Sequence, residues 1–370
     1  MKTGVLLVNL GTPDSPKPDD VGRYLKQFLN DPYVIDVPAP LRWFLVNVLI
    51  VPRRKYKSAE AYQTIWGQRG SPLKYHLEDL VENLRGESPA SSNVEMAMRY
   101  GSPSIATGLE KLRSQGVTRL VVVPLYPQYA ESSTRSTIEM TEQALQEMNW
   151  KPELRIVREF FADPGHAEAW AELLGEELKS KWNRTKKTHV LFSYHGLPER
   201  HLVKAEARLG GGDRVCLDGG TPDRESSRHR KYACCEKAVA ENLPCLQVCY
   251  RAQSLATTKK IVEALRVRGV DLHDGMYSMC FQSRLGRTPW IRPYTDDEIT
   301  RLAEQGVEHL IVLTPSFVAD CLETIEEIGD RARHQFLEAG GKEFSRVSCL
   351  NAHPSWVSAL SKIIDRTLAE

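Results

Sequence analysis

Val190-Leu191-Phe192-Ser193-Tyr194-His195-Gly196-Leu197-Pro198 begins as an apolar, β-favouring run and ends in a Gly–Pro turn, with a histidine at the junction. A strand covered on both faces reads as a near-continuous apolar run, the pattern of parallel sheets. The same figure stands near the start of the chain, where Val5-Leu6 is followed by Gly11 and Pro13, an offset of 185 positions. Arg99 and Gly101 match Arg284 and Gly286 at that offset. Gln115-Gly116-Val117 with Leu120-Val121-Val122 matches Gln305-Gly306-Val307 with Leu310-Ile311-Val312 at an offset of 190. Between the apolar runs lie longer segments of helical period, at 103–115, 138–148, 167–181 and 252–268. Strands alternating with helices predict an α/β fold, and the ordered repeats predict two similar Rossmann-like domains, each with a parallel sheet. The division is placed near 155–165, giving 1–160 and 161–370 as the two domains.

Composition bounds the remaining classes. Apolar residues make up 41% and charged residues 26% of the 370, values of a globular chain. Lys plus Arg number 49 and Asp plus Glu 48, a net charge of +1, so no large single-sign field exists and no nucleic-acid partner is expected. The longest apolar stretch, 45–52, is far short of the ~20 residues a transmembrane helix needs. No small-residue cleavage site follows Met1-Lys2-Thr3-Gly4, so a cytoplasmic location is expected rather than a secreted one. There the eight cysteines read as thiols or metal ligands before disulfides.

Two stretches break the alternation. Residues 36–56 hold Leu41-Arg42-Trp43-Phe44-Leu45-Val46-Asn47-Val48-Leu49-Ile50-Val51, then Pro52-Arg53-Arg54-Lys55. This is either a buried helix or an apolar lip with a basic end, suited to a hydrophobic ligand or a membrane surface. Residues 203–233 are polar, with Gly210-Gly211-Gly212 and Arg228-His229-Arg230, and read as an inserted loop.

Two places can carry chemistry. His195 falls at the carboxyl end of a parallel strand, the edge where open α/β sheets bind ligands, and a neutral imidazole there takes a proton or ligates a metal. The bland alternative is a histidine bonded only to its own turn. Further on, Glu323, Glu327 and Asp330 follow the N-cap candidate Asp320 at i, i+4 and i+7, one face of an α-helix. Carboxylates at that spacing repel, and a cation would offset the repulsion. The alternative is an acidic helix start favoured by the dipole.

These segments also carry a resemblance. The stretches 6–13 (LLVNLGTP), 62–73, Arg99-Tyr100, 124–129 (PLYPQY), 192–198 (FSYHGLP), Gln282-Ser283-Arg284 with Trp290 and Pro293-Tyr294-Thr295-Asp296, and 320–327 follow the order and wording of the ferrochelatases. The chain is similar to that family over nearly its whole length. The resemblance implies the class II chelatase fold, with an active-site cleft between the domains and the terminal helix packed back on the first. It implies insertion of Fe²⁺ into protoporphyrin IX with release of two protons, the last step of haem synthesis. Coproporphyrin III is the alternative substrate. A sirohydrochlorin cobalt or nickel chelatase is the rival, weakened because that type uses paired histidines and none adjoins His195.

The resemblance also assigns roles. His195 takes a pyrrole proton or binds the incoming metal, Glu323 is its partner, and Glu327 and Asp330 continue a hydrated acidic path, although many relatives carry their outer acid where this chain has Arg331. Leu10, Tyr126, Trp290 and Phe317 form the porphyrin walls. Arg53, Arg54, Arg99 and Ser132 serve the propionate side. Leu10 stands where some relatives have Met or Tyr, and it cannot ligate iron. Expected partners are the porphyrin, Fe²⁺, the inner face of the cytoplasmic membrane through 36–56, and the preceding or following enzymes of the haem pathway.

Five cysteines, Cys216, Cys234, Cys235, Cys245 and Cys249, fall within 34 positions, in the insertion at about 203–249. Some ferrochelatases hold a [2Fe–2S] cluster, most with ligands in a C-terminal extension that is not found here, and with an internal ligand where this chain has Glu131. The concentrated set resembles a rarer arrangement in the family. Four thiolates complete such a centre, and Cys216, Cys235, Cys245 and Cys249 are the expected set. Cys234 is kept as the alternate, because adjacent side chains seldom reach one small site. A Cys₄ zinc site and unligated thiols are the other readings.

Overall fold

The protein, described here from a computed structural model, is seen over residues 1–88, 92–181, 187–209, 233–286 and 288–370. Two four-stranded sheets, parallel throughout, form its centre. The first contains β1 (Thr3–Thr12), β2 (Val94–Gly101), β3 (Arg119–Pro124) and β4 (Glu153–Ile156) in the order β2-β1-β3-β4. The second contains β5 (Thr188–His195), β6 (Tyr277–Gln282), β7 (His309–Leu313) and β8 (Glu343–Arg346) in the order β6-β5-β7-β8. The two orders are the same, so the internal repeat is real and each half is doubly wound. Both orders reverse direction beside the first strand, at β1/β3 and β5/β7, the switch point where such sheets bind ligands.

Register gives the repeat its detail. Val5 pairs with Val121 and Val190 with Ile311, so the offsets of 185 and 190 both hold in space. The match of Arg99-Gly101 to Arg284-Gly286 does not. Leu6 pairs with Glu95, whereas Leu191 pairs with Ser278, which puts β2 and β6 at a different offset and makes Gln282 the counterpart of Arg99. Arg284 lies past the end of β6, exposed and paired with Asp296.

Helices cover both faces. Helices predicted at 103–115, 138–148, 167–181 and 252–268 are seen at Ile105–Ser114, Ser136–Glu147, Pro164–Lys181 and Tyr250–Val267. The main core joins the halves: Leu77, Leu80 and Leu84 of helix Pro72–Leu84 share one apolar cluster with Trp170, Phe192 and the fully buried Trp356. Trp356 belongs to the last helix, Pro354–Ala369, which packs on helices Pro72–Leu84 and Pro164–Lys181 and reaches β3 and β4. The stretch read as a loop from residue 203 is helical at its start, since helix Glu199–Ala207 runs through it on buried Leu202 and Ala205. Helix Ala233–Ala240 follows the undescribed 210–232, and Cys216 lies outside the described residues.

Three segments among the described residues are π-helical: Leu45–Ile50, Glu131–Arg135 and Glu323–Ala332. Each holds or adjoins residues singled out from the sequence, in keeping with the concentration of π-helical turns at functional sites.

Candidate active site

The site begins where β1 and β5 end. Leu10 and His195 hold equivalent places in the two halves, 185 positions apart, each followed by a glycine. Both glycines are forced by close approach of the neighbouring strand. A Cβ on Gly11 would lie 1.8 Å from the Tyr100 carbonyl oxygen; one on Gly196 would lie 2.8 Å from that of Gln282 and 3.2 Å from the Trp290 ring.

His195 is part-buried, and its backbone N–H donates to Ser316 Oγ at 3.0 Å. Its Nδ1 is 2.6 Å from the Gly196 carbonyl oxygen. A carbonyl only accepts, so in the neutral ring Nδ1 carries the proton and Nε2 the lone pair. The bond to its own turn thus fixes the tautomer that a base or metal ligand requires. The Phe317 ring lies 6.1 Å from the imidazole, inclined at 59°.

The carboxylates stand on the third π-helical segment, and the winding matters. Roughly 4.4 residues per turn, as i→i+5 bonding requires, turns each residue by about 80°. Residues four apart still nearly align, but residues seven apart no longer do. Glu323 and Glu327 therefore interact, whereas Asp330, expected on the same stripe, is exposed on another side.

Glu327 is tightly held. Ser283 donates to it through its backbone N–H at 2.8 Å and its hydroxyl at 2.5 Å, and Gln282 Nε2 approaches at 3.4 Å while donating to the Glu323 carbonyl at 3.0 Å. Ser283 has φ +65, a left-handed conformation rare for serine, and the two bonds to Glu327 are what it gains there. Burial first, then the Glu323 charge, pushes the Glu327 carboxyl above the usual carboxylate range, against the bonds from Ser283. His195 lies within electrostatic reach of it.

Glu323 faces other groups. Its charge acts on Arg54, Tyr62, Tyr24 and Cys321, and burial chiefly pushes both tyrosines and the Cys321 thiol up. Burial lowers the Arg54 guanidinium, and Glu323 opposes it. Arg54, expected at the propionates, thus lies within electrostatic reach of Glu323 on the acidic helix. Arg99 is bound elsewhere too: Nη2 donates to Asp31 at 2.6 Å, Nε to Ser136 Oγ at 2.7 Å, and the head stacks on Tyr100 at 4.5 Å. Arg53 alone of these three has an exposed head, with Nη1 at 3.1 Å from the Leu49 carbonyl.

Of the expected walls, Leu10 and Phe317 are partly open; Leu10 packs in one cluster with Leu322 and Ile325 of the other half. Trp290 is buried over Gly196, its Nε1 donating to the Leu285 carbonyl at 2.9 Å. The Tyr126 ring is part-buried, and its hydroxyl faces Thr137 with no hydrogen bond of normal geometry. Ser132 lines a small cavity with Leu197 and His201. Tyr24 and Asp31 escaped sequence reasoning, since neither stands in a recognisable motif. Ser283 stood inside one, but its left-handed backbone has no sequence signal.

The stretch 36–56 is not a buried helix. It forms helix Ala39–Phe44, the segment Leu45–Ile50 and the start of helix Val51–Ile65, with Trp43 60%, Leu41 48%, Phe44 47% and Val48 45% exposed. That is an exposed apolar face with Arg42 and Arg53 beside it. Among the described residues no helix is long and apolar enough to cross a membrane.

None of the described cysteines is in a disulfide with another. Cys234 and Cys235 point to one place despite being adjacent, their Sγ atoms 3.9 Å apart, which overturns the ground for setting Cys234 aside. Two thiolates on one tetrahedral ion, with bonds of ~2.3 Å, would lie about 3.8 Å apart. Cys249, the residue before helix Tyr250–Val267, reaches Cys235, and the buried Cys245 sits on the turn Pro244–Gln247. No three His, Cys, Asp or Glu among the described residues are gathered closely enough to hold an ion. The described thiols therefore do not by themselves complete a metal or iron–sulfur site.

Comparison with known proteins identifies the family. The family model "Ferrochelatase" matches residues 2–368. The chain is 45% identical to a ferrochelatase of Azotobacter vinelandii (strain DJ) over 97% of both chains, and 40% identical to one of Legionella pneumophila (strain Paris) over 100% of both. It is 41% identical to one of Coxiella burnetii (strain Dugway 5J108-111), over 99% of this chain and 94% of the relative. Among solved structures, SirB from Bacillus subtilis with Fe3+ superposes with a TM-score of 0.53 at 13% identity, covering 100% of this chain and 96% of that one, a likeness of fold. With the family matched from end to end on a fold of two doubly wound parallel sheets, the chain belongs to the ferrochelatases, the lyases that insert ferrous iron into a porphyrin.

Proposed function

We propose that this chain inserts Fe²⁺ into protoporphyrin IX between Leu10 and His195, with His195 Nε2 accepting a pyrrole proton or meeting the metal first. The observation that carries the reading is the fixed tautomer: Nδ1–H is spent on the Gly196 carbonyl, so the lone pair belongs to Nε2. Fe²⁺, as substrate, meets Glu323 and then the ring. A metal on the ring and two protons off it leave the porphyrin's charge unchanged, so the site needs a proton acceptor as much as a ligand. Glu323 is the carboxylate we assign to the incoming metal, and Glu327, within electrostatic reach of His195 and pushed above the usual carboxylate range by burial, is suited to pass the proton on. Asp330, exposed on another side, stands at the entrance of that path at most.

Protoporphyrin carries two carboxylates and coproporphyrin four. Of the three arginines expected at the propionates, Arg99 is already bound to Asp31, which supports the former. Zn²⁺ or Fe²⁺ insertion should therefore run with kcat/KM at least about tenfold higher on protoporphyrin IX, about 1.4 kcal/mol. Equal or reversed preference would assign the chain to coproporphyrin, and turnover of sirohydrochlorin alone would overturn the reading.

The exposed apolar face at Leu41, Trp43, Phe44 and Val48 lies on a membrane surface in this reading, where an apolar porphyrin partitions. Each large side chain buried in lipid contributes about 1.5–3 kcal/mol. Changing Trp43 and Phe44 to Ser is expected to weaken binding to anionic liposomes in sedimentation more than tenfold and to raise KM while sparing kcat. Unchanged sedimentation would remove the membrane from the account. The cysteine site, with Cys216 as a ligand beyond the described residues, holds the [2Fe–2S] group in this reading. The cluster supplies one-electron redox chemistry and a cross-link through the insertion.

A further inference from the structure

Strand β6 ends beside His195. Gln282 is the register partner of His195, and its carbonyl accepts from the Gly196 N–H at 2.8 Å. The Gln282 carboxamide, 3% exposed, bridges two elements. Its oxygen accepts from Ser193 Oγ of β5 at 2.8 Å, and its nitrogen donates to the Glu323 carbonyl of the acidic segment at 3.0 Å. Ser283 comes next and turns the chain out of the sheet at φ +65. The first half also leaves β2 through a left-handed residue, but there it is Gly101 at φ +91, the residue type that adopts this backbone freely. A serine in that region holds an unfavourable conformation, so another interaction retains it. What glycine lacks is the hydroxyl, and here Oγ donates to Glu327 Oε2 at 2.5 Å while the N–H donates to Oε1 at 2.8 Å. One residue thus engages both oxygens of one carboxylate, which fixes its rotation as well as its place.

We infer that Ser283 is a positioning residue for metal insertion. It sets the Glu327 carboxylate in a single orientation, while Gln282 ties the acidic segment to the strand that carries His195. The inference rests on the reading of Glu327 as the carboxylate that passes the proton on. Proton transfer needs heavy atoms within about 2.6–3.2 Å of each other, a tolerance that a freely rotating carboxylate does not keep. Ser283 acts through Glu327, so its removal can cost no more than removal of Glu327 itself.

Steady-state Zn²⁺ insertion into protoporphyrin IX, with thermal melting of each variant by circular dichroism, tests the role. Ser283→Gly and Ser283→Ala both lose the hydroxyl and keep the N–H, but only glycine is unstrained at φ +65. Both should lower kcat by the same factor, about threefold or more and no further than Glu327→Gln. The porphyrin KM should stay unchanged, and the glycine variant should melt above the alanine variant. A purely structural role would make activity follow stability, so a glycine variant clearly more active than the alanine one overturns the inference. A raised porphyrin KM with kcat kept also overturns it, since Ser283 would then be a substrate contact. In the Glu327→Gln background neither change should slow insertion further; an additive loss overturns the inference. If the alanine variant does not fold, the glycine variant decides through its kcat and that double variant. Glu327→Gln at the wild-type rate would overturn the reading of Glu327 and this inference together. A slow Glu327→Gln beside Ser283 variants of wild-type kcat overturns the role of Ser283 and leaves Glu327 standing.

Discussion

Replacing His195 by alanine is expected to leave a folded protein that inserts metal at least about 10³-fold more slowly, within the range of a lost general base. The loss corresponds to about 4 kcal/mol in the barrier. Folding should survive because the contact of residue 195 with Ser316 is made by its backbone N–H, which alanine keeps, and because the ring is only part-buried. The ring carbon skeleton is dispensable; the lone pair is not. Nothing else at the ends of β1 and β5 offers a neutral nitrogen base, since Leu10 holds the equivalent position. Single-turnover Zn²⁺ insertion, with circular dichroism to verify folding, measures the loss. A folded variant within about tenfold of wild type, or 1.4 kcal/mol, would take the proton-acceptor role away from His195.

Glu323→Gln should cost about 10²-fold or more, Glu327→Gln about tenfold, and Asp330→Asn less than about threefold. Removing the first takes the carboxylate that faces Arg54 and the cleft; removing the second takes one already bonded to Ser283 and Gln282. The third is exposed and off the stripe. A pH signature accompanies the rates. The Glu323 charge holds the Glu327 carboxyl above its usual range, as does burial, so Glu327 stays protonated to higher pH than an ordinary glutamate. In Glu323→Gln the like charge is gone, and Glu327 should lose its proton at lower pH than in wild type, seen by ¹³C NMR of the carboxyl. An unmoved Glu327 titration would separate the two carboxylates. Equal rate losses at all three positions would restore a single acidic row.

Half of each sheet is readable from the chain. The apolar runs of β1, β3, β5 and β7 are the central strands, flanked on both edges and covered on both faces, so β-branched and aliphatic residues predominate in them. The strands without such a run, β2, β4, β6 and β8, are the outer ones in the two orders. Their mixed composition, as in Glu153–Ile156 and Glu343–Arg346, follows from part-exposure, and short mixed strands look like loops. The same blindness produced the false match of Arg99 to Arg284, because register depends on how two strands pair and not on spacing along one.

What the sequence determined by itself was the kind of protein and the residue types at its centre. Apolar periodicity dictates two α/β halves, and the motifs around His195 and Glu323 carry the chemistry with them. The tertiary structure decided which way those groups act. The His195 tautomer depends on a carbonyl that only the turn's geometry brings to Nδ1. A π-helical winding, which leaves no mark in the spacing of acids, joins Glu323 to Glu327 and turns Asp330 away. Arg54 and Arg99 carry the same charge in the sequence, yet one faces Glu323 and the other is consumed by Asp31, a partner 68 positions away. The Cys234 and Cys235 sulfurs lie 3.9 Å apart, and Arg251, seventeen and sixteen positions on, donates to both. Local patterns act through the backbone within a few residues. Charge pairing, burial and hydrogen bonding act through space, and only the folded chain sets those distances.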